Sequence, residues 1–242
     1  MNKYEMIGEK KIKLNNNNVI LKRVRAIKSF ANIKEGQIGG WVEGEWNLSQ
    51  EGDCWVDGEA KVWENAKVSE NAQIWGKACV YGNAQIYGEA SVWGESQIFE
   101  NAKIFHEASI FGYAKIFGNV EIGGKSKICN NTNIEGFVKF IGNIFVCGDL
   151  NLNGNMYLGN KVELWGLSDE LKIFNWHSEY PVVITFGYFV ISTGYSEYEL
   201  KIFNWHSEYP VVITKYPKVL YHCGGFSGNA QEFLKFMGFK KI

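Results

Sequence analysis

From Val56 onward the chain places an apolar residue at every sixth position. The column runs Val56, Val62, Val68, Ile74, Val80, Ile86, Val92, Ile98, Ile104, Ile110, Ile116, Ile122, Ile128, Ile134, Phe140, Val146, Leu152, Leu158 and Leu164. With 46% of all residues hydrophobic, chance does not sustain such a run. A second column lies four residues later, from Ala60 through Ala66, Ala72, Ala78, Ala84 and Ala90, and on through Ser96 and Ala102 to Ala114. A third lies two residues after the branched one and is mostly glycine, as at Gly76, Gly82, Gly88, Gly94, Gly112 and Gly118. A helix of period 3.6 cannot produce this pattern. A plain strand of period two would not insert a turn every six residues.

A short strand, a turn and another short strand does produce it. Three such sides close into a triangular coil of eighteen residues, with the branched residue pointing in and the small residue filling a crowded corner. About six coils fit between Val56 and Leu164, a prism roughly 29 Å tall at about 4.8 Å per coil. The expected fold is all-β: a single-stranded parallel β-helix over residues 54–166. An N-terminal β cap occupies 1–53, and a small antiparallel β region with one helix occupies 167–242. The eighteen-residue coil also predicts an asparagine ladder at Asn65, Asn83, Asn101 and Asn119.

The residue after each branched one should face outward, and between 75 and 117 it is always aromatic. Sorted by eighteen, these rings form three stacks: Trp75–Trp93–Phe111, Tyr81–Phe99–Phe117 and Tyr87–Phe105. So much contiguous aromatic surface needs a cover. It suits subunit contact, a stacking platform for a planar ligand such as a nucleotide base, or ladder packing within the sheet. His106 stands in the turn column between Gly88 and Gly124, with Tyr87 and Phe105 near and Glu89 and Glu107 on the same edge. Those glycines are expected to leave room around the imidazole. Glu64, Glu70 and Glu100 fill the same column, so a polar turn residue there is also ordinary. The candidate ligand-binding residues are therefore Trp75, Trp93, Phe111, Tyr87, Phe105 and His106.

The N-terminal stretch holds a strand-like segment around Val19–Ile27, with turn signals at Glu35-Gly36 and Gly39-Gly40. After Leu164 the period stops, and ELKIFNWHSEYPVVIT occurs twice, at Glu170–Thr185 and Glu199–Thr214. Each copy reads as strand, polar turn and strand. Near the end, Asn229 can cap a short helix with a buried stripe at Phe233, Leu234 and Met237. Cys129 and Cys147 are eighteen apart, a spacing compatible with a bridge. In a reducing cytosol free thiols are expected.

The formal net charge is −1, so nothing in the balance points to a nucleic-acid polymer. No run of about 18 apolar residues is present for a membrane span, and the first residues lack the apolar core of a secretory signal. The expected location is the cytoplasm. No metal motif and no cofactor loop are read, so no cofactor is expected.

The hexad resembles the left-handed hexapeptide-repeat family, and the handedness expected here comes from that resemblance. Three further strings, RVRAIKSF, IGGWVEGEWNLS and GDCWV, resemble the lead-in of phage and prophage hexapeptide-repeat proteins. The string CGGFSGNAQEF resembles their C-terminal segment. That family is often described as transferase-like without a demonstrated reaction. The resemblance implies a homo-oligomer, most often a trimer, and a phage or prophage origin that would put the protein in a host cytoplasm. Function then divides three ways. The first is a non-enzymatic scaffold that sequesters a small nucleotide-like ligand or inhibits a host defence protein. The second is a coenzyme A-dependent acyltransferase with His106 as general base. The third is a virion structural protein, for which six coils are short.

Overall fold

A computed structural model describes residues 2–14, 17–173, 183–193, 211–215, 219–223 and 226–228. It is a left-handed parallel β-helix, all-β apart from one short 3-10 turn at Glu45–Asn47 among the described residues. From Trp55 to Ile116 each coil has three strands of two residues, such as Gln73–Ile74, Cys79–Val80 and Gln85–Ile86, and in the last coils the strands lengthen and merge, as in Asn133–Asp149. Each pairs in parallel with the strand eighteen positions on: Ile74 with Val92, Val80 with Ile98, and Ile86 with Ile104. This register holds from Trp55↔Gln73 to Asp149↔Leu167. The ladder bonds are regular, with Trp75 N donating to Val92 O and Tyr81 N to Ile98 O, each at 3.0 Å.

The two inward columns make the core. The branched residues Val62, Val80, Ile98 and Ile116 and the alanines Ala60 to Ala114 are fully buried. Each branched side chain contributes about 1.5–3 kcal/mol by leaving water. Where the small column turns polar, the hydroxyl bonds a carbonyl three residues back. Ser96 Oγ donates to Trp93 O at 2.6 Å, Ser126 Oγ to Gly123 O at 2.7 Å, and Thr132 Oγ1 to Cys129 O at 2.8 Å. Buried hydroxyls are thereby satisfied without a break in the pattern.

A stacked repeat needs its end coils protected, and here the lower edge is covered and part of the upper edge is paired. At the start, β1 (Tyr4–Leu14) and β2 (Asn17–Ala26) form an antiparallel hairpin, and β2 pairs with β3 (Ile38–Val42). β3 then joins the first coil in parallel, Trp41 opposite Lys61. Gly36 turns with φ +83°, as its Glu35-Gly36 signal suggested, but Gly39 and Gly40 do not turn. They lie inside β3, fully covered, because the cap presses onto the first coil. A Cβ on Gly40 would sit 2.7 Å from Ala60 O. At the other end, Val162–Ile173 runs antiparallel to Val183–Thr193, and this pairing takes in the first and last residues of the first ELKIFNWHSEYPVVIT copy. Val183–Thr185 then pairs with Val211–Ile213 of the second copy. The helix expected from Asn229 lies outside the described residues.

Cys129 and Cys147 form a disulfide, contrary to the expectation of free thiols. Parallel pairing sets them directly opposite, with Cα atoms 4.8 Å apart, inside the range a bridge accepts. The expectation of free thiols rested on the compartment, and the pairing of the two coils supplies the approach that a bridge needs.

Candidate functional site

The outward column forms the stacks its spacing predicts. Trp75 and Trp93 lie 4.8 Å apart with planes 4° from parallel, and Trp93 and Phe111 lie 4.6 Å apart at 4°. Tyr87 and Phe105 stack at 5.3 Å and 8°. On the third corner Tyr81, Phe99 and Phe117 stack at 4.8 and 4.7 Å. That third ladder is longer than a count from residue 75 suggests. Trp63 lies beneath Tyr81 at 4.5 Å and is 3% exposed. It occupies the same column, two hexads before the aromatic run becomes continuous at Trp75, with Ser69 between. Its indole Nε1 and that of Trp55 are buried without a hydrogen-bond partner among the described residues.

Stacking changes what these rings can do. The face of a middle ring such as Trp93 is covered on both sides by its neighbours, Trp75 and Phe111. A planar ligand therefore meets ring edges along the ladder and a free face only at its ends. Exposure agrees: Trp75, the lowest ring of its ladder, is 37% exposed, and the other ladder rings are less so. Phe105 ends its ladder over Gly123, where a Cβ would come within 2.5 Å of the ring.

His106 sits at the exposed corner beside this second ladder, its ring edge-on to Phe105 with centroids 4.8 Å apart. Its backbone has φ +55°, close to the +56° to +58° of Glu64, Glu70 and Glu100 in the same column. Gly124 N donates to His106 Nδ1 at 3.4 Å. Gly82 N donates in the same way to Glu64 Oε2 at 2.8 Å, and Gly88 N to Glu70 Oε2 at 2.9 Å. Glu64, Glu70 and His106 thus each accept from the amide eighteen residues on. The glycines flanking His106 do not make room for its ring. A Cβ on Gly88 would strike the backbone N of His106 at 2.7 Å, so it is the coils' backbone that demands glycine there. Of the two glutamates expected on this edge, Glu107 pairs with Lys125 at 3.4 Å.

The candidate residues thus fall into two groups. Tyr87, Phe105 and His106 come together at one corner, and Trp75, Trp93 and Phe111 at another. A shallow hollow of 440 Å³ lies elsewhere, beside β1, lined by Tyr4, Glu5, Glu9, Lys22 and Glu45 among others. None of the candidate residues lines it. Among the described residues no cluster of His, Cys, Asp and Glu is arranged to hold a metal ion. No helix among them is long and apolar enough to cross a membrane.

Comparison with known proteins adds one relative. The chain is 38% identical over 69 residues to an uncharacterized acetyltransferase, YdcK, of Escherichia coli strain K12. That stretch covers 28% of this chain and 19% of the relative, so the chain matches about a fifth of that protein's length. No protein-family model matches the chain.

Proposed function

We propose that this chain is an acyltransferase of the hexapeptide-repeat type, moving an acyl group from a coenzyme A thioester to a hydroxyl or amine. The observation that carries this reading is the similarity to a protein named as an acetyltransferase. The acceptor attacks the thioester carbonyl and the thiol leaves. A base must take the acceptor's proton. His106 is the candidate, exposed at a corner beside the edges of Phe105 and Tyr87. While Nδ1 accepts from Gly124, Nε2 carries the ring proton. To act as a base, His106 has to give up that long contact and present a lone pair.

The test is coenzyme A titration calorimetry, followed by thiol release from acetyl-coenzyme A over a panel of amines and alcohols. His106→Asn keeps an acceptor for Gly124 and tolerates positive φ, but cannot take a proton. The expected result is coenzyme A binding, an intact fold and about a hundredfold or greater loss of turnover in His106→Asn. Absence of coenzyme A binding, or full turnover in the variant, would contradict it.

A second reading is favoured by one observation: the eighteen-residue register passes from Trp55 to Leu167 with no inserted loop to shape an active site. It takes the chain as a non-enzymatic, phage-encoded scaffold that sequesters a nucleotide-like ligand at the ladder ends or binds a host defence protein. Mass spectrometry of molecules released by heat from the purified protein would reveal such a ligand. Either reading takes the protein as a cytoplasmic homo-oligomer, a trimer with ladder-bearing faces in contact, which light scattering measures directly.

A further inference from the structure

Lys3 enters the open lower end of the prism and is 1% exposed. Its ammonium donates to the carbonyl oxygens of Cys54 at 2.9 Å, Gly52 at 3.1 Å and Glu51 at 3.3 Å, and to Cys54 Sγ at 3.2 Å. The ring of Phe30 closes another side, its centroid 5.2 Å from Nζ. Among the described residues no carboxylate forms an ion pair with it. The charge is met instead by convergent carbonyl dipoles and the negative face of an aromatic ring.

The acceptors are positioned by bonds that do not involve Lys3. Cys54 N donates to Glu70 O at 2.8 Å in the next coil, and Gly52 turns the chain with φ +67°. Phe30 packs edge-on against buried Trp55 at 5.5 Å. The backbone around Lys3 is fastened separately. Lys3 N donates to Gln50 Oε1 at 2.9 Å, and Tyr4 OH donates to Leu48 O at 2.6 Å.

We propose that the Glu51–Cys54 turn, closed by Phe30, is a receptor for a primary alkylammonium group, and that Lys3 fills it in cis. The ligand class follows from the acceptors. A primary ammonium has three hydrogens for the converging oxygens and sulfur, and a methylene stem that suits the apolar wall of Phe30. A quaternary ammonium has the charge and the ring contact but no hydrogen to donate, and a bare cation has no stem. A free amine, such as a short alkylamine or one end of a diamine, would occupy the cage once Lys3 is removed.

The test is chemical rescue. Lys3→Ala should lower the melting temperature by about 5 °C. About 100 mM n-butylammonium should restore at least half of that loss by binding the folded state, and tetramethylammonium at equal concentration should not. Equal effects of the two cations would overturn the proposal. If Lys3→Ala does not fold alone, refolding yield in the two salts makes the same comparison. In the unaltered protein, reductive methylation mapped by mass spectrometry should reach exposed Lys77 long before Lys3. Methylation of both at one rate would equally overturn it.

Discussion

At the scale of single residues, the turn column is governed by positive φ combined with the close approach of the next coil. Glycine meets both demands without a steric penalty, while Glu64, Glu70, Glu100 and His106 accept the backbone strain. Glu64, Glu70 and His106 also take up the following coil's amide. Gly88 has φ +71° and no space for a Cβ against His106 N. Gly88→Ala should therefore cost about 1–3 kcal/mol, read from urea denaturation midpoints at constant slope. An unchanged midpoint would mean that the coils stand further apart here than the geometry states. The column itself could be read in the sequence because it recurs. Residues that act once could not. Asn47 is fully buried and makes four bonds: it accepts from the amides of Glu43 and Gly44, and it donates to the carbonyls of Glu64 and Ala66. Lys3 is likewise a single event, and no periodicity announces it.

At the scale of elements, stacked rings and stacked amides run along the prism and tie each coil to the next. Asn65, Asn83, Asn101 and Asn119 form the expected ladder, with Nδ2 of the first three donating to the Oδ1 of the next at 3.1 to 3.3 Å. Parallel aromatic pairs add about 0.5–1.5 kcal/mol each beyond area burial. Trp93 stacks on both sides, so Trp93→Ala should destabilise by about 2–4 kcal/mol. A double-mutant cycle with Trp75→Ala should return about 1 kcal/mol of coupling between the two rings. Zero coupling would show that they merely share a column. The ladders were legible because a period of six, folded on three sides, decides which residues meet. Their lower end was not, because Trp63 precedes the unbroken aromatic run and Ser69 interrupts it. The roles of Gly39 and Gly40 were hidden for a related reason. A glycine that admits a neighbouring backbone looks the same in sequence as one that turns. The Cys129–Cys147 spacing was visible and already put a bridge within reach, whereas the expectation of free thiols came from an assumed reducing compartment, which no spacing fixes.

At the scale of the whole molecule, the cap and the prism are joined by charge as well as packing. Glu59, at a coil corner, accepts from Arg23 at 3.0 Å, Trp41 Nε1 at 3.2 Å and Lys10 at 3.3 Å, which fastens the β1–β2 hairpin. Slight burial works to raise its carboxyl, but the bonds from Lys10, Trp41 and Arg23 outweigh it and hold the group below the ordinary value of 4.5. Lys139 and then Lys103 likewise lower Glu121. Both carboxyls are depressed, so their stabilisation is complete above the ordinary carboxylate value. It is lost as pH falls below 4.5 through the folded-state values. Melting temperature should therefore decline below that pH, with protease cutting appearing first in β1 and β2. Glu59→Gln should flatten the pH dependence of that cutting, and an unchanged profile would remove Glu59 from the account. Tyr4 sets the opposite limit. Burial, with Glu45 and Cys54 adding to it, raises its hydroxyl above the usual 10.0. Its contribution is present below that pH and fades as pH climbs above it.

The eighteen-residue coil underlies every one of these relations, and engineered cysteines measure it directly. Ser91 and Ser109 face outward on paired strands, whereas Gln97 lies around the corner from Ser91 on the next side of the same coil. Oxidised under mild conditions and mapped by peptide mass spectrometry, Ser91→Cys/Ser109→Cys should cross-link nearly completely. Ser91→Cys/Gln97→Cys should stay reduced. A cross-link in the second pair and none in the first would mean that the chain does not coil in triangles of eighteen.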